Sequence, residues 1–148
     1  MVKTSTRIVG ALALAAVLVS NGPASAAQPG GAMDGDLSSN RTSADVVVPV
    51  DCDPVPQNST DTKSASVSVK IYQSVGRLLN IGTGSAAPTC TGQPVNVTVT
   101  VHAIDGLKFQ PGPATVLITL TEQSLDAVGT QIGAATVTET GARINLHP

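Results

Sequence analysis

Residues 93–105, QPVNVTVTVHAID, alternate more regularly than any other stretch of the chain. Every second residue from 95 to 101 is a valine, and the positions between and after the valines are polar: Asn96, Thr98, Thr100 and His102. Because successive side chains of a β-strand point to opposite faces, this period of two predicts a strand with one buried and one solvated face. The valines are therefore expected in a core, and the polar residues on an ordinary solvated surface.

Similar alternation recurs along the chain and predicts an all-β fold. Candidate strands cover residues 45–52, 65–73, 76–82, 114–121, 134–140 and 142–146, and helix signals are limited to one turn within 121–128. The Asp105-Gly106 pair predicts a hairpin turn with a brief returning strand, since both turn positions require positive φ. Thr140-Gly141 predicts a further turn. Short strands separated by turn residues predict an antiparallel, immunoglobulin-like β-sandwich of about seven strands.

The first 26 residues have the three parts of a secretory signal peptide. Lys3 and Arg7 form a positive start, residues 8–19 are apolar but too short to span a bilayer comfortably, and small residues follow at 24–26. We expect cleavage between Ala26 and Ala27. Residues 27–44 are rich in Gly, Ser, Asp and Asn and are interpreted as a flexible leader. The β-sandwich domain then covers 45–148, with no transmembrane segment in the mature chain.

The charge of the chain argues against a nucleic-acid partner and excludes few other classes of partner. Loss of Lys3 and Arg7 with the signal peptide changes the formal net charge from -2 to -4. The remaining basic residues form no cluster along the sequence, so a nucleic-acid partner is not expected.

The two cysteines, Cys52 and Cys90, are expected to form a disulfide. An even number of cysteines in an exported chain favours pairing, and closing a loop of about 38 residues stabilises the fold by roughly 4 kcal/mol. The bond would support a core that contains fifteen valines between residues 46 and 137 but only Tyr72 and Phe109 as aromatics. The alternatives are two buried free thiols, or a metal site for which the sequence offers no further ligands at a recognised spacing.

No arrangement of residues points to catalysis. The only histidines are His102 and His147, no serine lies in a nucleophile motif, and Asp105 is the one acid near His102 in sequence. We therefore predict a non-enzymatic protein without cofactors. Asp51 and Asp53, with Asp61 further on, leave a calcium site as an alternative. Glycosylation triplets occur at three asparagines: Asn40, Asn58 and Asn96.

The order of several short motifs resembles a known group of proteins. VxVxCD is followed by ASVSVKIYQ, TCTGQPVNVTVTV and FQPGPATVLITL within residues 46–122. This order resembles small secreted actinobacterial proteins of unknown function, in which the matching positions are Cys52, Gln73, Cys90, Gly92, Phe109, Pro111, Gly112 and Ala114. The resemblance implies secretion and an immunoglobulin-like sandwich, and it implies no activity.

These observations together predict a secreted, extracellular binding or interaction module at or near the cell surface. Its partner would be a protein or a cell-envelope component. The alternatives are a small secreted hydrolase or hydrolase inhibitor, and a carrier of an apolar ligand. A hydrolase requires an acid and a nucleophile beside His102, and a carrier requires an enclosed apolar cavity. An interaction module predicts an exposed patch or a long unprotected edge strand.

Overall fold

A computed structural model describes residues 28–29, 34–52 and 60–148. The predicted signal peptide, the cleavage position at Ala26 and Ala27, and both Asp53 and Asn58 lie outside these residues. Eight strands are present in the described parts of the chain: β1 Gln28–Pro29, β2 Gly35–Leu37, β3 Ser43–Asp51, β4 Thr62–Val75, β5 Leu78–Ala86, β6 Val95–Ala103, β7 Gly112–Leu125 and β8 Gln131–His147. These described residues include no helix that is long and apolar enough to span a membrane.

The strands close into a barrel, so the prediction of an immunoglobulin-like sandwich is wrong, whereas the prediction of an all-β fold is confirmed. Seven strands follow each other around the ring in the order β3-β2-β8-β7-β4-β5-β6. An antiparallel ladder between β3 and β6, from Ser43 opposite His102 to Val50 opposite Val95, completes the ring. Alternation could not distinguish the two folds because every second side chain points inward in both.

The barrel interior contains the alternating apolar residues of the strands. Val99 and Val101 of β6 are fully buried, Val95 and Val97 are half-buried, and the polar side chains between them are exposed. A barrel of about eight strands has an interior just wide enough for its own side chains, which suits valine. The largest fully buried side chains are Phe109, Ile71, Ile118, Leu120, Leu146, Val46, Val48, Val50, Val67, Val69, Val99 and Val101.

Two glycines of β5 allow this strand to approach β6 closely. A Cβ atom on Gly84 would clash with the Thr100 carbonyl oxygen, and one on Gly82 would lie 2.5 Å from Cζ of Phe109. The β5–β6 ladder itself is short, with Gly82 opposite Ala103 and Thr83 opposite His102. The ring can therefore close between β5 and β6 only because these two positions carry no side chain.

The segment interpreted as a flexible leader contributes strands to the barrel. β1 pairs with the end of β3, and β2 pairs antiparallel with β3 and parallel with β8. Leu37 is buried in the core although its neighbours in sequence are polar. Strand pairing uses backbone N–H and C=O groups, which every residue carries apart from the missing N–H of proline. The polar composition of this segment therefore did not reveal that it forms strands.

The turns differ from the sequence prediction in two places. Asp105 and Gly106 do adopt positive φ, at 63° and 70°, but residues 107–110 form no returning strand and lead on to β7. No turn separates the last two predicted strands, because β8 runs unbroken through Thr140 and Gly141. β7 and β8 together form a long hairpin, whose residues 123–139 are nowhere fully buried and are called the ribbon below.

Candidate functional site

The barrel has two ends that are closed differently. The end called upper here carries the disulfide between Cys52, which follows β3, and Cys90, in the connection from β5 to β6. The Cα atoms of the two cysteines are 5.2 Å apart, and this pairing confirms the prediction. A Glu122 carboxylate oxygen lies 4.0 Å from Sγ of Cys90. Both sulfurs are consumed by the disulfide, so they do not offer thiolates to a metal in this form of the protein.

The remaining acids predicted as possible metal ligands do not assemble. Among the described residues, the one group of three potential ligands is formed by Cys52, Cys90 and Glu122. Asp51 and Asp61 belong to no such group, and Asp53 is not described.

The predicted glycosylation positions Asn40 and Asn96 differ in their surroundings. The Asn40 side chain accepts hydrogen bonds in a turn, and the Asn96 side chain is exposed on β6.

Neither histidine lies in a catalytic arrangement. His102 is exposed on the outer wall, opposite Thr83 of β5 and Ser43 of β3, and no described residue makes a hydrogen bond or ion pair with its side chain. Nε2 of His147 lies 3.5 Å from a carboxylate oxygen of Asp34, at the junction of β8 and β2. The hydrolase alternative thus has no acid beside His102 within the described part of the chain.

The end called lower is held by a buried amide. Nε2 of Gln73 donates to the carbonyl oxygen of Gln110 at 2.7 Å, and the backbone N–H of Gln110 donates to Oε1 of Gln73 at 2.8 Å. Gln73 is 3% exposed, so both bonds form away from water. The backbone N–H of Phe109 also donates to the Arg41 carbonyl oxygen. These bonds fix the connection between β6 and β7 under the barrel, with Phe109 inside it.

Beside Gln73 lies a second buried amide whose polar atoms are unpaired. Asn80 is opposite Gln73 in the β4–β5 ladder and only 1% exposed, yet neither its nitrogen nor its oxygen has a hydrogen-bond partner among the described residues. A buried polar group without a partner costs about 1–3 kcal/mol. The unpaired side chain of Asn80 therefore lowers the stability of the lower end.

An exposed apolar surface covers the outer wall next to the lower end. Leu78, Leu79 and Ile104 are 60%, 54% and 42% exposed, which is unusual for side chains of this size. Tyr72 and Ile81, both half-buried, are cross-strand neighbours beside them, and the N–H of Ile104 donates to the Ile81 carbonyl oxygen at 2.8 Å. Tyr72, Leu79, Ile81 and Ile104 share the outer face of β4, β5 and the residue after β6, and these four residues are called the apolar patch below. Leu78 lies at the edge of this patch, on the opposite face of β5.

A cavity of about 230 Å³ adjoins the apolar patch on the side of β7 and β8. Its lining includes Tyr72, Thr115 and Arg143, which occupy opposite positions on three neighbouring strands. No hydrogen bond or ion pair joins the Arg143 guanidinium to another described residue. The apolar patch is thus bordered by a cationic group that is available to a partner.

A second cavity, of about 470 Å³, lies where β5 and β6 separate at the upper end. It is lined by uncharged residues that include Ala86, Pro88, Val95 and Val97, and it opens to the surface. Both cavities are open to the surface, so neither is the enclosed apolar cavity that an apolar-ligand carrier requires.

Comparisons of the chain with protein-family models, with curated proteins and with solved structures returned no match. The resemblance to small secreted actinobacterial proteins therefore remains a prediction. The observations that bear on function are therefore those on the surface of the barrel.

The apolar patch is a candidate functional surface that sequence reasoning missed. One signal for it was present, because the adjacent residues Leu78 and Leu79 cannot both face the interior of a strand with a period of two. Tyr72 and Ile104 lie far from this pair in sequence. Only the pairing of β4 with β5 and of β5 with β6 brings them together.

Proposed function

We propose that the protein is a secreted, non-enzymatic interaction module that binds a partner through the apolar patch. The observation that carries this proposal is the exposure of Leu79 and Ile104 on one wall, next to Tyr72 and Ile81. Contiguous exposed apolar surfaces mark interaction sites, and tyrosine is enriched at the centres of interfaces. Isolated exposed aliphatic residues would not support the same inference, because they are common on monomers.

The proposed location outside the cell is supported by two observations. Residues 1–26 have the pattern of a signal peptide, and the disulfide is of the kind that persists in oxidising compartments. A partner in the cell envelope or in the medium would meet the apolar patch directly. The barrel then serves as a rigid support, since its wall is hydrogen-bonded on both sides of β4 and β5.

Site-specific photo-crosslinking tests the proposal. A photoreactive benzoylphenylalanine is placed at Leu79 or Ile104 in the patch, and at the exposed Thr98 of β6 as a control. After irradiation of cells that export each variant, we expect discrete crosslinked products from the two patch positions and none from Thr98. Equal labelling from all three positions, or labelling from Thr98 alone, would contradict the proposal.

A further inference from the structure

Among the described residues, the large exposed hydrophobic side chains fall into two sets at opposite ends of the barrel. Leu79 and Ile104 belong to the apolar patch near the lower end, with Leu78 at its edge. The other set lies on the ribbon at the upper end: Val128, Ile132 and Val137. Exposed hydrophobic side chains are therefore present at both ends.

The charges divide along the chain in the same way. No Asp or Glu occurs from Thr62 to Ile104, a stretch that supplies β4, β5 and β6 and contains Lys63, Lys70 and Arg77. No Lys or Arg occurs from residue 109 to residue 142, a stretch that contains three acids: Glu122, Asp126 and Glu139.

The apolar patch and the ribbon differ in net charge. Lys70, Arg77 and Arg143 border the apolar patch and are exposed, against one exposed acid, Asp105, which follows Ile104. The ribbon carries Asp126 and Glu139, and Glu139 lies two residues from Val137 on the same face of β8. One cation borders the ribbon, Lys63 of β4, which is opposite Ser124. An apolar patch with a net positive border and a ribbon of exposed hydrophobic residues with a net negative charge complement each other in both respects.

From this complementarity we infer that the ribbon of one copy binds the apolar patch of a second copy. This inference rests on the proposed function and names its partner as the protein itself. Ribbon and patch are different surfaces of one chain, so the contact is heterologous and leaves a free ribbon at one end and a free patch at the other. Repetition of the contact produces head-to-tail chains of copies, or a ring where the rotation closes.

The first experiment measures the mass of the exported protein by sedimentation as a function of concentration. The patch variant combines Leu79→Thr with Ile104→Thr, and the ribbon variant combines Val128→Thr with Val137→Thr. Threonine has the β-branched shape that strands favour, and all four positions are exposed. We expect the mass of the wild type to rise with concentration, and each variant alone to stay monomeric. Thr98→Ala, outside both surfaces, should behave like the wild type.

Mixing the two variants distinguishes a head-to-tail contact from a symmetric one. The patch variant keeps an intact ribbon and the ribbon variant keeps an intact patch, so an equal mixture should form heterodimers and no larger species. Higher salt should reduce assembly of the wild type, because charges at the border of an interface are screened.

Three results would overturn the inference: a wild type that stays monomeric, variants that assemble as the wild type does, or a ribbon variant that still forms dimers alone. A monomeric wild type whose patch positions still give crosslinks to other proteins would leave the proposed function standing and remove only self-assembly. Crosslinks solely between copies would support both proposals, and no crosslinks at all would contradict the proposed function.

Discussion

The upper and lower ends of the barrel are closed by different interactions. At the upper end, a covalent bond joins Cys52 and Cys90 across the space between β3 and the β5–β6 connection. At the lower end, closure depends on the buried amide of Gln73, whose two hydrogen bonds to Gln110 hold the β6–β7 connection under the barrel. A covalent closure is visible in the sequence as two cysteines. A closure by packing and hydrogen bonds is visible only once the strands are paired.

Reduction of the disulfide should have the largest effect. Opening a loop of about 38 residues removes roughly 4 kcal/mol of stability, and we expect the melting temperature to fall by roughly 10–20 °C. Calorimetry with and without a phosphine reductant measures this change. An unchanged melting curve in protein whose thiols titrate after reduction would show that the upper end does not need its covalent bond.

Gly84→Ala should come next, with a loss of about 3 kcal/mol, because the new Cβ would meet the backbone of Thr100 rather than a side chain that could move. Gly141→Ala on β8 is the matched control, since the nearest atom to its Cβ is 3.9 Å away. Denaturant unfolding of both variants compares the two glycines. Similar stabilities would refute the role assigned to Gly84 in closing the ring.

Gln73→Leu should cost about 2 kcal/mol, because it leaves the backbone N–H and carbonyl groups of Gln110 without their partner. Hydrogen exchange of the Gln110 amide provides a local measurement. We expect this amide to exchange faster in the variant, while amides of the β3–β6 ladder such as that of Val97 keep their protection relative to global stability. Unchanged exchange at Gln110 would mean that Gln73 does not fix the lower end.

Asn80→Leu should have the smallest effect and the opposite sign. The side chain is opposite Gln73 in the ladder but unpaired among the described residues, so an apolar replacement of similar size should stabilise the protein by about 1 kcal/mol. The same unfolding experiment as for Gly84 measures it. Destabilisation comparable to that of Gln73→Leu would show that Asn80 has a partner in solution.

The individual strands could be predicted from the sequence better than the way in which they pair. The alternation of β6 placed Val99 and Val101 inside and His102 outside correctly, because the period of two is a local property of a strand. The sequence did not predict β2, because three residues are too few to show a periodic pattern. Leu37 is the one residue of this strand with a buried apolar side chain.

The candidate site was predictable to a smaller extent. Tyr72 was visible as an outward residue of its strand, and Leu78 and Leu79 broke the expected alternation. Their proximity to Ile104 and Arg143 depends on ladders between residues distant in sequence, which periodicity does not specify. The same limit applies to Gln73 and Gln110, whose paired amides join residues from different strands.

The sequence by itself determined the all-β class, the inward and outward faces of most strands, the pairing of the only two cysteines, and the separation of acidic from basic stretches. Each of these is set by the order of residues along the chain or by simple counting. Only the tertiary structure decided that the strands close into a barrel, that Gly84 passes against Thr100, and that an apolar patch forms on one wall. These features depend on which strands become neighbours, and a residue pattern of period two is the same in a sandwich and in a barrel.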